Sequence, residues 1–233
     1  MSAQNLTLLT DLYELTMMQG YFETQENQTV IFDVFFRENP NKGGYSIMAG
    51  VDQVIDYIKN VNFSYEDVDY LRGLGLFSED FLHYLSGFHF SGDIYAIPEG
   101  SVIFPREPLI KVVAPIMEAQ LVETAILNMI NHQSLIATKA SRVVYAAQGD
   151  GIMEFGLRRA QGPDAGLYGA RAAVIGGCVG TSNVLAGEMF DVPVMGTHAH
   201  SWIMTFKDEY TAFKEYARLY PDACTLLVDT YDT

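Results

Sequence analysis

The stretch "DVPVMGTHAHSW", residues 191–202, sets His198 and His200 at the end of an apolar run. The chain has five histidines, so two within three residues concentrate the side chain whose ordinary pKa lies nearest neutrality. In an extended segment residues two apart share a face, so both imidazoles would point the same way. H-x-H at a strand end is also a zinc-ligand spacing, found in metal-dependent hydrolases on barrels. Such a centre needs further ligands, and no histidine follows His200; His83, His89 and His132 lie upstream in helical or loop contexts. One reactive imidazole with one supporting neighbour is favoured over a metal site, with a purely structural pair as the remaining alternative. Asp229 ends the next apolar run, "TLLV". A carboxylate beside an imidazole fixes its tautomer and stabilises its cationic or modified form, which makes His200 and Asp229 a candidate dyad.

In α/β sheets and barrels the functional groups collect beyond the carboxyl ends of the strands. That rule selects 155–159, 180–183, 197–201 and 229–232, each a place where an apolar run ends in glycine, polar or charged residues. If 155–159 is extended, Arg158 and Arg159 point to opposite sides. One of them then faces the site and offers a bidentate fork to a carboxylate or phosphate. The chain carries a formal charge of −15, which argues against nucleic acid, whose affinity comes from phosphate neutralisation. Between 139 and 186, however, Lys139, Arg142, Arg158, Arg159 and Arg171 outnumber Asp150, Glu154 and Asp164. A locally cationic stretch in an acidic chain fits a small anionic ligand held in a cleft; solvated helix faces are the alternative.

The elements that must position these groups read as follows. Residues 1–30 have helical periodicity, with Leu8, Leu12, Leu15, Gln19 and Phe22 on one side and Tyr13 and Met17 on another. "TVIFDVFFRENPNKGGYSIMAGVDQVIDYI" predicts an extended run, a turn, a second extended run and a helix. Residues 64–90 predict two acid-capped helices, and "GDIYAIPEGSVIFPREPLIKVVAP" a small antiparallel module punctuated by Pro and Gly. A long helical pattern, "IMEAQLVETAILNMINHQSLIATKASRVVYAA", crosses back from it. From 150 the rhythm becomes strand–helix alternation: four strands ("GIMEFG", "IGGCVGTSN", "VPVMGTHAHS", "CTLLVDTYDT") and three helices, which implies a parallel sheet with right-handed crossovers. A closed (β/α)8 barrel takes about 250 residues by itself. The expected fold class is therefore α/β: a smaller N-terminal α/β domain with its crossover helix over 1–150, and over 151–233 the first part of a barrel or a small open sheet. At 233 residues and 49% hydrophobic, the chain can bury a sizeable core. It has no run of about 18 uncharged apolar residues, no basic-then-apolar leader, and two cysteines, Cys178 and Cys224, that need not pair. A cytoplasmic protein without a membrane span is expected.

Taken in order, "TDLYELTM", "FFRENP…GGYSIMAG", "EFGLRRAQGPDA", "GGCVGTSN", "GTHAHSW" and "LLVDTYDT" closely resemble the bacterial type of nicotinate phosphoribosyltransferase, from about residue 6 to the last residue. The resemblance implies an irregular α/β barrel of the type II phosphoribosyltransferase kind, plus a smaller α/β domain, in a homodimer. It implies an ATP-coupled glycosyl transfer with ligase character, in which nicotinate and phosphoribosyl pyrophosphate give nicotinate mononucleotide and pyrophosphate at the first step of NAD salvage. Mg2+ and ATP are the implied cofactor and co-substrate. His200 would be the histidine that ATP phosphorylates transiently and Asp229 the carboxylate that holds it. Phe155 would stack on the pyridine ring, Arg158 would sit by the nicotinate and phosphate groups, and Thr197 is counted with the substrate-binding residues. Asp11 and Tyr13 would reach the partner subunit's site, Tyr13 stacking on the other face of the ring, and Arg37 matches an arginine near the pyrophosphate and nucleotide. Ser182 stands where nicotinamide-using relatives carry an aspartate, which favours the acid as substrate.

Family members are about twice as long, so the sequence looks like an N-terminal part whose later strands and glycine-rich phosphate loops are missing. The resemblance thus implies little transferase activity for these residues alone. The rival readings are a non-catalytic truncated paralogue, dimerising or joining a separately encoded half, and a metal hydrolase using His198 and His200.

Overall fold

The computed structural model describes residues 5–232. The first helix expected from the sequence extends into residues 1–4, which lie outside that range, as does the final residue of the last expected strand. Helix α1 spans Leu12–Glu23, shorter than the periodicity predicts. Asp11 caps it in a reciprocal box with Glu14, satisfying N–H groups that have no partner within the helix. Its buried side is Glu14, Leu15 and Met18, which leaves Leu12, Tyr13 and Met17 exposed.

Strands β1 (Thr29–Val34), β3 (Asp93–Ala96) and β5 (Ile110–Pro115) form an antiparallel sheet in the order β1-β5-β3. Its register pairs Thr29 with Pro115 and Asp93 with Val113. Alternation along β1 sends Val30, Phe32 and Val34 inward and Ile31 and Asp33 outward, as a half-buried strand requires. The short strands β2 (Ser46–Ile47) and β4 (Val102–Ile103) pair separately. Helices α2 (Val51–Asn60), α3 (Tyr65–Gly73) and α4 (Glu79–Ser86) complete this part, the last two capped by Ser64 and Ser78. Their apolar faces join one core with the sheet and with the long helix α5 (Ile116–Ala146). Gly50, at φ +105°, starts α2 where a Cβ would come 2.9 Å from the Met129 carbonyl of α5. Only glycine allows both that conformation and that approach.

Helix α5 packs against α1, α2, β1, β2, β5 and α6 (Pro163–Ile175). The contact with α6 is close because Ala172 and Ala173 of α6, and Gly176 just beyond it, meet Ala137 and Ala140. Arg171 of α6 ties this contact to the N-terminal part: its guanidinium donates to Glu99 at 2.6 and 2.9 Å, to Asp52 at 2.5 Å and to Gln133 at 3.2 Å. Glu99 in turn accepts the Gly50 and Val51 N–H groups at the start of α2.

After α5 the alternation continues as β6 (Met153–Glu154), α6, β7 (Gly180–Thr181), α7 (Val184–Phe190), α8 (His200–Thr205) and α9 (Glu209–Leu219). The fold is mixed α/β, and no closed barrel forms among the described residues. Strands β6 and β7 are parallel, as expected, and the ladder is extended by one bridge, from Thr181 to Val194. The two later strands expected from the sequence are not formed, and a fourth helix, α8, begins within the first of these two, "VPVMGTHAHS". Pro193 accepts from Thr181 through its carbonyl but has no N–H to donate, and His200 already starts α8. Residues 224–229 have no ladder at all; the Leu227 N–H donates instead to the His198 ring, at 3.2 Å.

Candidate active site

Four segments carry the expected groups: the loops after β6, after β7 and after the Val194 bridge, and the ladder-free stretch from residue 224. The first leaves β6 with Phe155, 45% exposed, and then turns at Leu157–Arg159 in one turn of 3-10 helix. The segment is therefore not extended, and the expected opposition of Arg158 and Arg159 does not hold: both are exposed on the turn, and neither makes an ion pair among the described residues. The second loop carries Ser182, half-buried, whose N–H donates to the Glu154 carbonyl at 3.1 Å. Asn183 then caps α7 through Ala186 N–H, at 3.2 Å.

The third loop holds the histidines, and they part company. His198 is buried; its Nε2 accepts the Leu227 N–H, and its ring meets Tyr216 edge-on at 4.8 Å and Phe213 at 5.9 Å. A nitrogen that accepts carries no proton, so this imidazole is committed to holding 224–229 against α9. His200, two residues on, begins α8 and is exposed, because the chain turns into the helix at Ala199 rather than continuing extended. Its Nε2 lies 3.8 Å from Asp229 Oδ1 and its Nδ1 3.3 Å from Thr230 Oγ1. Thr197, exposed, donates its hydroxyl to the His198 carbonyl at 2.9 Å. The fourth loop supplies Asp229 and Thr230.

The remaining expected residues sit elsewhere. Asp11 accepts the Thr124 hydroxyl at 3.1 Å, and Asp11 and Tyr13 line a cavity of about 440 Å³ with Phe35, Thr124 and Asn128. Burial raises the Tyr13 phenol's pKa, with Glu123, Glu14 and Asp11 adding to the rise and the Thr124 hydroxyl opposing it. Arg37 is exposed just beyond β1. Among the described residues no hydrogen bond, ion pair or ring contact joins Asp11, Tyr13 or Arg37 to Phe155, Arg158, Ser182, Thr197, His200 or Asp229. No cluster of three or more His, Cys, Asp or Glu in metal-binding position occurs among the described residues. The sequence reading passed over Glu154, whose carboxylate accepts both the Thr181 hydroxyl, at 2.6 Å, and the Gly156 N–H. Its position between an apolar run and Phe155 was the available signal.

A mixed α/β chain with polar groups gathered beyond the carboxyl ends of short parallel strands has the layout of α/β proteins that take their ligand at that end of the sheet. Residues 8–131 match the nicotinate phosphoribosyltransferase N-terminal domain, and residues 151–233 match the nicotinate phosphoribosyltransferase family. The chain belongs to the nicotinate phosphoribosyltransferase family. It is 50% identical over 226 residues to a nicotinate phosphoribosyltransferase of Mycobacterium tuberculosis, covering 97% of this chain and 49% of that one. Against the Bacillus subtilis enzyme of the same name it is 47% identical over 230 residues, covering 98% and 47%. Human nicotinic acid phosphoribosyltransferase superposes with a TM-score of 0.79 at 36% identity, over 84% of this chain and 40% of the human one. The chain thus spans about half the length of the curated relatives it matches.

Proposed function

We propose that the protein forms nicotinate mononucleotide and pyrophosphate from nicotinate and phosphoribosyl pyrophosphate, with ATP hydrolysis coupled to the transfer, as a step in NAD salvage. The observation that carries this reading is the ordered match of both family segments, with 50% identity over nearly the whole chain to a relative of that name.

The chemistry asks for little covalent work from the protein. Displacing pyrophosphate from the ribose anomeric carbon develops positive charge on the sugar, so positioning and charge stabilisation dominate. Phe155 offers an open aromatic face to the pyridine ring, and Arg158, without a hydrogen-bond or ion-pair partner among the described residues, offers a fork to the substrate's carboxylate or phosphate. Ser182 supports the acid over the amide, since it brings no negative charge near the carboxylate. In the coupling step His200 is the phosphoryl acceptor. Asp229 on the Nε2 side and Thr230 on the Nδ1 side flank the ring, and one ring nitrogen gains the γ-phosphoryl group as the bond to ADP breaks. Thr197 and Arg37 complete the substrate contacts, and Asp11 and Tyr13 act from a second subunit of a homodimer, in keeping with the lack of any direct contact between them and the rest among the described residues.

Mg2+ fits the donor set in its usual manner, because it is bound by one or two carboxylates with its other ligands from water and phosphate. Asp229, with its side chain 53% exposed, is one carboxylate available for it. When bound, the ion would neutralise phosphate charge. A cytoplasmic location accords with this role.

The half-length coverage supports a second reading, in which these residues alone are a non-catalytic dimerising or half-enzyme partner. One experiment separates the two. Labelled nicotinate is incubated with phosphoribosyl pyrophosphate, Mg2+ and ATP, using the 233-residue chain and a protein extended to the length of its relatives. The extended protein is expected to form the mononucleotide and the chain alone little or none. No product from the extended protein overturns the transferase reading, and full turnover by the chain alone overturns the second.

A further inference from the structure

Phe155 and Arg158 have almost nothing of their own to hold them. Among the described residues Phe155 joins no ring pair and Arg158 makes no hydrogen bond or ion pair. Their placement therefore depends on the backbone of the turn that carries them, and that backbone is fixed from behind. Glu154, the last residue of β6, is half-buried and pairs with no cation among the described residues. Its carboxylate is satisfied by two neutral donors. One oxygen accepts the hydroxyl of fully buried Thr181, at 2.6 Å, and the other accepts the Gly156 N–H inside the turn.

Thr181 is itself engaged on its acceptor side, by the Asn183 N–H at 3.0 Å, and Asn183 Nδ2 donates to the Gly166 carbonyl at 3.2 Å. The fit is tight. A Cβ at Gly156 would lie 2.7 Å from the Glu154 carboxylate, and one at Gly166 would lie 2.7 Å from the Leu157 side chain. One carboxylate thus links the turn holding Phe155 and Arg158 to the turn holding Ser182. Hydrogen bonds to an ionised acceptor are shorter and stronger than neutral ones, so this link adds side-chain restraint to the backbone bond from the Ser182 N–H to the Glu154 carbonyl.

We propose that Glu154 is a positioning residue, holding the Phe155–Arg158 turn in register with Ser182 and thereby setting affinity for a planar, anionic aromatic substrate. The substrate half of this proposal rests on the function proposed above; the link itself does not. Glu154→Gln preserves size but faces one of the two donors with an NH2 group. Thr181→Val removes the hydroxyl at constant shape, and Thr181→Ser restores it.

Two readouts test the proposal separately. In the 233-residue chain, amide resonances of residues 155–159 are followed by NMR. Glu154→Gln and Thr181→Val are expected to move the Gly156 amide proton and its neighbours in the turn, and Thr181→Ser to return them. In the protein extended to the length of its relatives, KM for nicotinate is expected to rise about tenfold in Glu154→Gln, with a much smaller change in kcat. Unmoved turn resonances in a folded Glu154→Gln chain overturn the link. Moved resonances with an unchanged nicotinate KM overturn its role in substrate affinity. If the unsubstituted extended protein does not use nicotinate, the transferase reading falls, and the resonances still decide whether Glu154 holds the turn.

Discussion

His200 Nε2 stands 3.8 Å from Asp229 Oδ1, with both side chains half exposed, while His198, two residues away, is buried against Tyr216. The separation divides the histidine motif into one group that solvent and ligand reach and one that the fold consumes. Of the two rings, His200 is the one open to solvent. The separation also makes a shared metal unnecessary to explain the motif, since the two rings point to different surroundings.

For His200→Ala, made in a protein extended to the length of its relatives, the ATP stimulation of nicotinate conversion is expected to be lost. An exposed side chain contributes little to stability, so Tm should move by no more than about 0.5 kcal/mol allows. The measurement is initial rate with and without ATP, beside a thermal melt. A retained ATP effect would remove His200 from the coupling step.

His198→Leu is expected to do the opposite. It leaves the part-buried Leu227 N–H without its acceptor, a cost of about 1 kcal/mol. In a chain of this size that is a fall in Tm of about 2–4 °C. Comparing melts of His198→Leu and His200→Ala in the same background decides the matter; equal stabilities would contradict the structural role of His198.

Much of the fold was legible because it is local. The 31-residue helix α5, the helices capped by Ser64 and Ser78, and the alternation of β1 are all written in short-range periodicity and capping residues. The strand ends at Phe155 and Ser182 were legible for the same reason. What escaped depends on contacts between residues far apart in sequence. Nothing near Leu227 announces that its N–H will be taken by an imidazole 29 residues earlier, so the apolar run "TLLV" reads as a strand. The 3-10 turn at 157–159 arises where Leu157 rests on Gly166 and Glu154 holds Gly156, and neither contact has a sequence period. Arg171 reads as a generic cation until α6 is seen to bring it to Glu99.

That contact has a pH dependence of its own. Burial alone resists ionisation of Glu99, but the hydrogen bonds and charge of Arg171, with the Gly50 and Val51 N–H groups, outweigh it and hold the carboxyl below its usual range. A carboxyl with its folded pKa below the unfolded one contributes stability that is full above the unfolded value and is lost as pH falls through the folded one. Tm is therefore expected to drop on acidification below about pH 4.3, and to drop less steeply in Glu99→Gln. Arg171→Ala, which leaves Glu99 charged and largely buried, should cost about 3 kcal/mol at neutral pH. Melts of the three proteins between neutral and acidic pH test this; parallel curves for native and Glu99→Gln would show that the pair is not the acid-sensitive element.

Ser182 offers the sharpest test of substrate choice. It is half-buried at the turn after β7, tied by its N–H to the Glu154 carbonyl, so a substitution of its side chain leaves that backbone bond intact. An aspartate there would bring a second negative charge near a bound carboxylate, and like charges at close range in a partly buried site oppose binding of the acid. It would also offer an acceptor to a carboxamide N–H. In the extended protein Ser182→Asp is expected to lower kcat/KM for nicotinate by about tenfold or more and to raise the ratio for nicotinamide over nicotinate, since about 1.4 kcal/mol of differential binding suffices for a tenfold change. The ratio is the decisive quantity, because a general loss of folding lowers both rates together. An unchanged ratio would mean that the substrate carboxylate is recognised elsewhere, with Arg158 as the first residue to substitute next.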